Sequence, residues 1–147
     1  MSFVFDIAAA QQVSAMGKFN EAVYNRNAQI KEQEADAIAQ QTEFDIARFD
    51  QSYQKLVGST NVAAAKSGVE RSGTFFNVQK YNAEQSEIQK DVMEYNSQVA
   101  EAQKIEEANF ARISGQIKRQ EARIAQLGYY SRAGESLLRI GQAKGII

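Results

Sequence analysis

Ala63-Ala64-Ala65-Lys66-Ser67-Gly68-Val69-Glu70-Arg71-Ser72-Gly73-Thr74-Phe75 reads as the end of one helix and the start of another. The alanines are the strongest helix formers. Gly68 suits the left-handed C′ position that ends a helix, and Val69 is placed for the hydrophobic contact that follows it. Ser72 or Thr74 offers the hydroxyl of an N-cap. Ser67, Gly68, Val69, Ser72 and Gly73 are therefore read as turn residues, and the chain as a helix–turn–helix hairpin.

Upstream of this turn one long helix is expected from about Lys18 to Lys66. Met16, Val23, Ile30, Ala37 and Phe44 recur every seven positions. A second stripe, Thr42, Ile46, Phe49, Tyr53 and Leu56, follows at spacings of three and four. Both are helix-face spacings. The shift between the stripes suggests a change of partner or of supercoil. Gly58, Ser59, Thr60 and Asn61 form a weak point where the helix is expected to kink or break.

Downstream a second helix is expected from Thr74 to about Leu127. Its stripe runs Tyr81, Ile88, Val92, Tyr95, Val99 and Ala102, then Phe110, Ile113, Ile117, Ile124 and Leu127. Val92, Tyr95, Val99, Phe110, Ile113 and Ile117 are assigned as its packing and oligomer seam. Polar Gln85, Glu106 and Gln120 interrupt this seam, which is a poor core for an isolated monomer. Neighbouring copies or partners are expected to complete it. Each arm of about 50 residues would span about 75 Å at 1.5 Å per residue.

Composition supports an all-α reading. The chain has 147 residues and no proline, where average usage predicts about seven. Proline inside a helix costs about 3 kcal/mol. Cysteine and histidine are also absent. That excludes disulfides, zinc fingers, Ser-His-Asp and Cys-His centres and histidine metal sites. No stretch reaches the roughly 18 apolar residues of a membrane-spanning helix. Three regions are expected: a docking segment at 1–17, the hairpin at 18–127 with its turn near 67–74, and a glycine-rich apolar tail at 128–147.

Charge is divided unevenly. Residues 1–109 carry 10 basic and 16 acidic side chains, and residues 110–147 carry 7 and 2. The near-neutral total of −1 hides an acidic body and a basic tail. In the tail, Tyr129, Tyr130, Leu137, Leu138 and Ile140 lie among Gly128, Gly134, Gly141 and Gly145. Arg112, Lys118, Arg119, Arg123, Arg132, Arg139 and Lys144 add basic charge. Such a segment suits an anionic membrane surface or a contact with a protein core. DNA phosphates, or the acidic body of a neighbour, are further counterparts for the charge.

Other candidate chemistry is weaker. Gly68, Gly73 and Thr74 resemble a phosphate loop only faintly, because the lysine position before the threonine is occupied by Gly73. Glu32, Glu34 and Asp36, and Glu43, Asp45 and Asp50, could catch a hard cation. Residues two apart point to different sides of a helix, so solvated faces are the expected reading. Paired carboxylates for glycoside hydrolysis need a rigid cleft, which two thin helices do not offer. No catalytic, cofactor-binding or metal-binding residue is assigned, and the chain is expected not to be an enzyme.

The run from Ala63 to Phe75 resembles the turn of the small internal virion, or ejection, proteins of short-tailed, podovirus-type bacteriophages. In that family an alanine-rich helix end enters Ser-Gly-Val, an acidic residue and a second Ser-Gly before the next helix. Polar Gln/Asn/Ala-rich helices flank it, as here. Gly134-Glu135-Ser136-Leu137-Leu138 and Gly141 are similar to the family's glycine-interrupted C-terminal stretch. The detailed likeness covers about a dozen residues, and the general pattern covers most of the chain.

The resemblance implies a homo-oligomeric structural protein stored in the capsid with other internal core proteins, near the portal. It implies ejection ahead of the genome and assembly into a channel across the host cell envelope. Contact with the host outer membrane and non-specific proximity to DNA would follow. The alternative is a virion scaffold, adaptor or tail- or portal-associated protein without a membrane role.

Overall fold

Two helices account for the secondary structure. The computed structural model describes residues 2–68 and 73–143, with side chains from residue 3 onward. Helix α1 spans Ser2–Ser67 and α2 spans Thr74–Ala143. No strand occurs among the described residues. The helices pack antiparallel, so the fold is the expected all-α hairpin.

The turn follows the glycine reading. Gly68 has φ 71° and Gly73 has φ 62°, both in the left-handed region that a Cβ disfavours. The cap differs from the expectation. The Asn77 N–H donates to the Gly73 carbonyl at 3.2 Å, which makes Gly73 the cap and Thr74 the first helical residue. Ser67 lies inside the last turn of α1, its hydroxyl donating to the Ala64 carbonyl at 3.1 Å. Val69 and Ser72 lie outside the described residues.

Three boundaries also differ. Helix α1 begins at Ser2 rather than Lys18, so residues 2–17, read as a docking segment, are helical. It passes through Gly58 to Asn61 without a break. There the Ser59 and Thr60 hydroxyls both donate to the Leu56 carbonyl at 2.8 Å, bonding back to the helix instead of capping a new one. Helix α2 continues past Leu127 to Ala143, because Gly128 and Gly134 cost helix propensity without forcing a stop. Lys144, Gly145, Ile146 and Ile147 lie outside the described residues.

The chain divides into two units. A terminal unit joins Met1–Glu32 to Glu106–Ile147, and a turn unit covers Gln33–Ile105. Within the terminal unit, Glu21 pairs with Arg119 at 3.8 Å and Lys31 with Glu107 at 3.3 Å. Glu32 meets Arg112 there at 2.7 Å. Within the turn unit, Glu34 pairs with Lys104 at 3.0 Å and Asp50 with Lys90 at 3.1 Å. Gln79 donates to Asn61 at 2.7 Å. From Glu21 to Lys31 in the terminal unit, and from Glu34 through Asp50 to Asn61 in the turn unit, the α2 partner number falls as the α1 number rises, which is antiparallel register. These pairs are partly exposed and contribute about 0–1 kcal/mol each, so they fix register more than they stabilise.

Small residues close the hairpin. Ala10, Gly17, Ala28, Ala108, Gly115 and Ala133 are buried in the terminal unit. Ala35, Ala64, Ser86 and Ser97 are buried in the turn unit. Ser86, Ser97 and Ala108 are spaced by eleven, which is three turns at 3.67 residues each. Side chains this small let helix axes approach closely. They also bury little apolar surface, at roughly 0.8 kcal/mol per buried CH₂. Ser97 satisfies its hydroxyl by donating to Glu101 at 2.7 Å.

Candidate interaction faces

The expected seam is outside the hairpin. Val92, Tyr95 and Val99 in the turn unit, and Phe110, Ile113 and Ile117 in the terminal unit, are all exposed. Tyr95 is 66% and Phe110 71% accessible, whereas Ala108 is 0%. One spacing explains the arrangement. Ala28 is buried and Ile30 exposed, and the same holds for Ser86 and Ile88, Ser97 and Val99, and Ala108 and Phe110. Gly17 with Phe19 and Gly115 with Ile117 repeat it. Two residues turn a helix by about 200°, so a large apolar residue two places after a buried small one faces away from the partner helix.

The two α1 stripes separate the same way. Met16, Val23, Ile30, Ala37 and Phe44 are exposed. Thr42, Ile46, Phe49 and Tyr53 are half-buried. Phe49, Tyr53 and Leu56 line a groove of about 360 Å³ that Gln85 and Ser86 of α2 complete. The stripe shift read from the sequence is thus a change from the outer toward the inner side of the helix, except at Leu56, which is exposed.

The tail residues sit on α2 inside the terminal unit. Tyr130, Leu137, Leu138 and Ile140 are exposed and Tyr129 is half-buried. The Arg132 guanidinium lies 5.8 Å from the Tyr129 ring centroid, within cation–π range. No atom of α1 lies within 4 Å of where a Cβ would stand at Gly128 or Gly134, so packing between the helices does not require glycine there. No helix among the described residues is long and apolar enough to cross a membrane.

The acidic clusters take part in the hairpin and are not simply solvated. Glu32, Glu34 and Asp50 carry the interhelical pairs given above. Asp45 accepts from Gln41 at 3.0 Å along α1. A second groove, of about 510 Å³, has Glu43, Asp50, Glu94 and Glu101 on its walls with Ile46 and Ser97. Among the described residues no group of three or more His, Cys, Asp or Glu could hold a metal ion. The basic side chains are also engaged in part. Beyond the Arg112 and Arg119 pairs, Lys118 meets Glu121 at 2.8 Å. The Glu121 hydrogen bond holds the Lys118 ammonium above its ordinary pKa. Hydrogen bonds donated to Glu87 and then Asp50 do the same for Lys90.

Comparison with protein-family models, with curated proteins and with solved structures finds no match for this chain.

Sequence reasoning located the outer faces and the half-buried α1 stripe through Ile46 and Phe49, but missed the small-residue contact. Seams were sought among large apolar residues, while the contact is made by Ala, Gly and Ser. The available signal was the repeat of eleven through Ser86, Ser97 and Ala108. The interhelical ion pairs had no sequence signal, because pairing depends on the register across the turn.

Proposed function

We propose that this chain is an internal virion, or ejection, protein of a short-tailed bacteriophage. In this reading it is stored with the internal core proteins near the portal and then assembles into a channel for genome translocation across the host envelope. The observation that carries the assembly half is the inside-out distribution of apolar residues. The hairpin closes on alanine, glycine and serine, while Phe, Ile, Val and Tyr face outward on α2. Large exposed apolar patches mark interaction surfaces. The phage half rests on the Ala63 to Phe75 turn and its resemblance.

The mechanism is structural and no catalytic step is assigned. Neighbouring hairpins cover one another's outer apolar faces. Polar Gln, Asn and Glu surfaces line a wet interior, and acidic walls do not hold phosphate. The basic, apolar end of α2 meets anionic lipid head groups. Mass spectrometry of purified particles before and after triggered DNA release tests the reading. The chain is expected in full particles and absent from emptied ones.

The second reading is a virion scaffold or adaptor with no membrane role. Burial of Ala133 at 3% accessibility favours it, since the tail already packs within the terminal unit. Retention in emptied particles would support this reading over the first.

A further inference from the structure

We infer that a second copy of this chain docks antiparallel on the outer face of α2, about a two-fold axis at Glu106. The spacing of that face carries the inference. From Glu106 toward the N-terminus the exposed stripe steps to Ala102, Val99, Tyr95, Val92 and Ile88. Toward the C-terminus it steps by the same intervals, to Phe110, Ile113, Ile117, Gln120 and Ile124. Turned end for end, the stripe superimposes on itself. Val99 then meets Ile113 of the second copy, Tyr95 meets Ile117, and Ile88 meets Ile124. Steps of three and four are those of helices that interlock side chains along a seam.

Charge mirrors the spacing with opposite sign. Residues 84–101 carry five carboxylates and one lysine, net −4. The segment that the same reversal sets against them, 111–128, carries four basic side chains and one carboxylate, net +3. The units as wholes agree, at −4 for residues 33–105 and +3 for the remainder. In such a dimer each turn-unit face of one copy lies on the terminal-unit face of the second. Both contacts are identical, as a two-fold, self-complementary interface requires. Parallel in-register packing would instead set acid against acid and base against base. At the axis Glu106 meets Glu106 of the second copy, a like-charge polar interruption that costs stability at the centre of the seam.

This partner assignment rests on reading the outer α2 face as an assembly seam, and it is independent of the virion. The chain has no cysteine, so single introduced thiols report unambiguously. Full-length Val99→Cys and Ile113→Cys proteins are oxidised separately and as a mixture, with circular dichroism confirming native helicity. Both positions are exposed, so neither change disturbs the hairpin interior. The mixture is expected to give a Val99→Cys to Ile113→Cys disulfide dimer that neither protein gives alone. Added salt is expected to lower its yield, because the complementary charges are screened. Self-crosslinking of Val99→Cys overturns the antiparallel register while leaving assembly standing. Absence of any crosslink with folded proteins overturns the dimer itself. Neither result touches the particle experiment, whose failure in turn leaves the crosslink standing.

Discussion

Gly17 faces Ala122 so closely that a methyl group on Gly17 would overlap the Ala122 Cβ. Gly115 repeats the relationship, its added Cβ falling 2.9 Å from the Tyr24 Cβ. Gly17→Leu is therefore expected to force the helices of the terminal unit apart, at about 1–3 kcal/mol. Gly58 has nothing within 4 Å of its added Cβ. Gly58→Ala is expected to gain about 0.5–1 kcal/mol from helix propensity alone. Urea unfolding followed by circular dichroism measures both, and equal effects would show that the close approach does not matter.

The inner and outer faces should respond in opposite ways. Ala108→Leu places a large side chain at a fully buried position and should destabilise the hairpin by about 1–3 kcal/mol. Phe110→Ser, two residues on and exposed, should leave hairpin helicity intact and weaken self-association. Sedimentation equilibrium paired with circular dichroism separates the two outcomes. Loss of helicity in Phe110→Ser at concentrations where the wild type is monomeric would contradict the outward placement.

The turn requires glycine at two positions. Gly68→Val and Gly73→Val each place a branched side chain at positive φ and should cost at least about 1 kcal/mol. Gly68→Asn should cost less, since asparagine tolerates that region. Equal denaturation midpoints for Val and Asn at Gly68 would exclude a backbone cause.

Lys90 gives the hairpin a pH dependence at the alkaline end. Its pKa is raised above 10.5 by hydrogen bonds to Glu87 and Asp50, so the folded state holds the proton more tightly than the unfolded state. The contribution is fully present below about pH 10.5 and is lost as pH rises through the raised value. The difference in melting temperature between wild type and Lys90→Met should stay constant from neutrality toward pH 10.5 and shrink beyond it. A difference that persists unchanged well above pH 10.5 would contradict the assignment.

The end of α2 should bind anionic lipid. Leu137 and Leu138 are exposed, each able to bury about 1.5–3 kcal/mol of apolar side chain in a membrane surface. The full chain should co-sediment with anionic vesicles at low salt. Leu137→Asp combined with Leu138→Asp should abolish this without loss of helicity. No co-sedimentation of the wild type would leave the tail with a protein-packing role alone.

The sequence by itself determined that the chain is two helices joined by a glycine turn. Absence of proline, helix-face spacing and the chemistry of Ser67-Gly68 and Gly73 are local properties, and local properties decide secondary structure. It also located the apolar stripes, from Met16 to Phe44 and from Tyr81 to Leu127. Tertiary structure alone decided which side of each stripe faces inward. Large residues promise more burial energy than small ones, so Val92 and Phe110 read as the packing and oligomer seam. Close helix approach instead selected Ala28, Gly115 and Ser97 for the contact and left the large residues two places on, about half a turn away. The ion pairs Glu32–Arg112 and Asp50–Lys90 belong to the same level. Their partners lie 80 and 40 residues apart, and only the register across the turn brings them together.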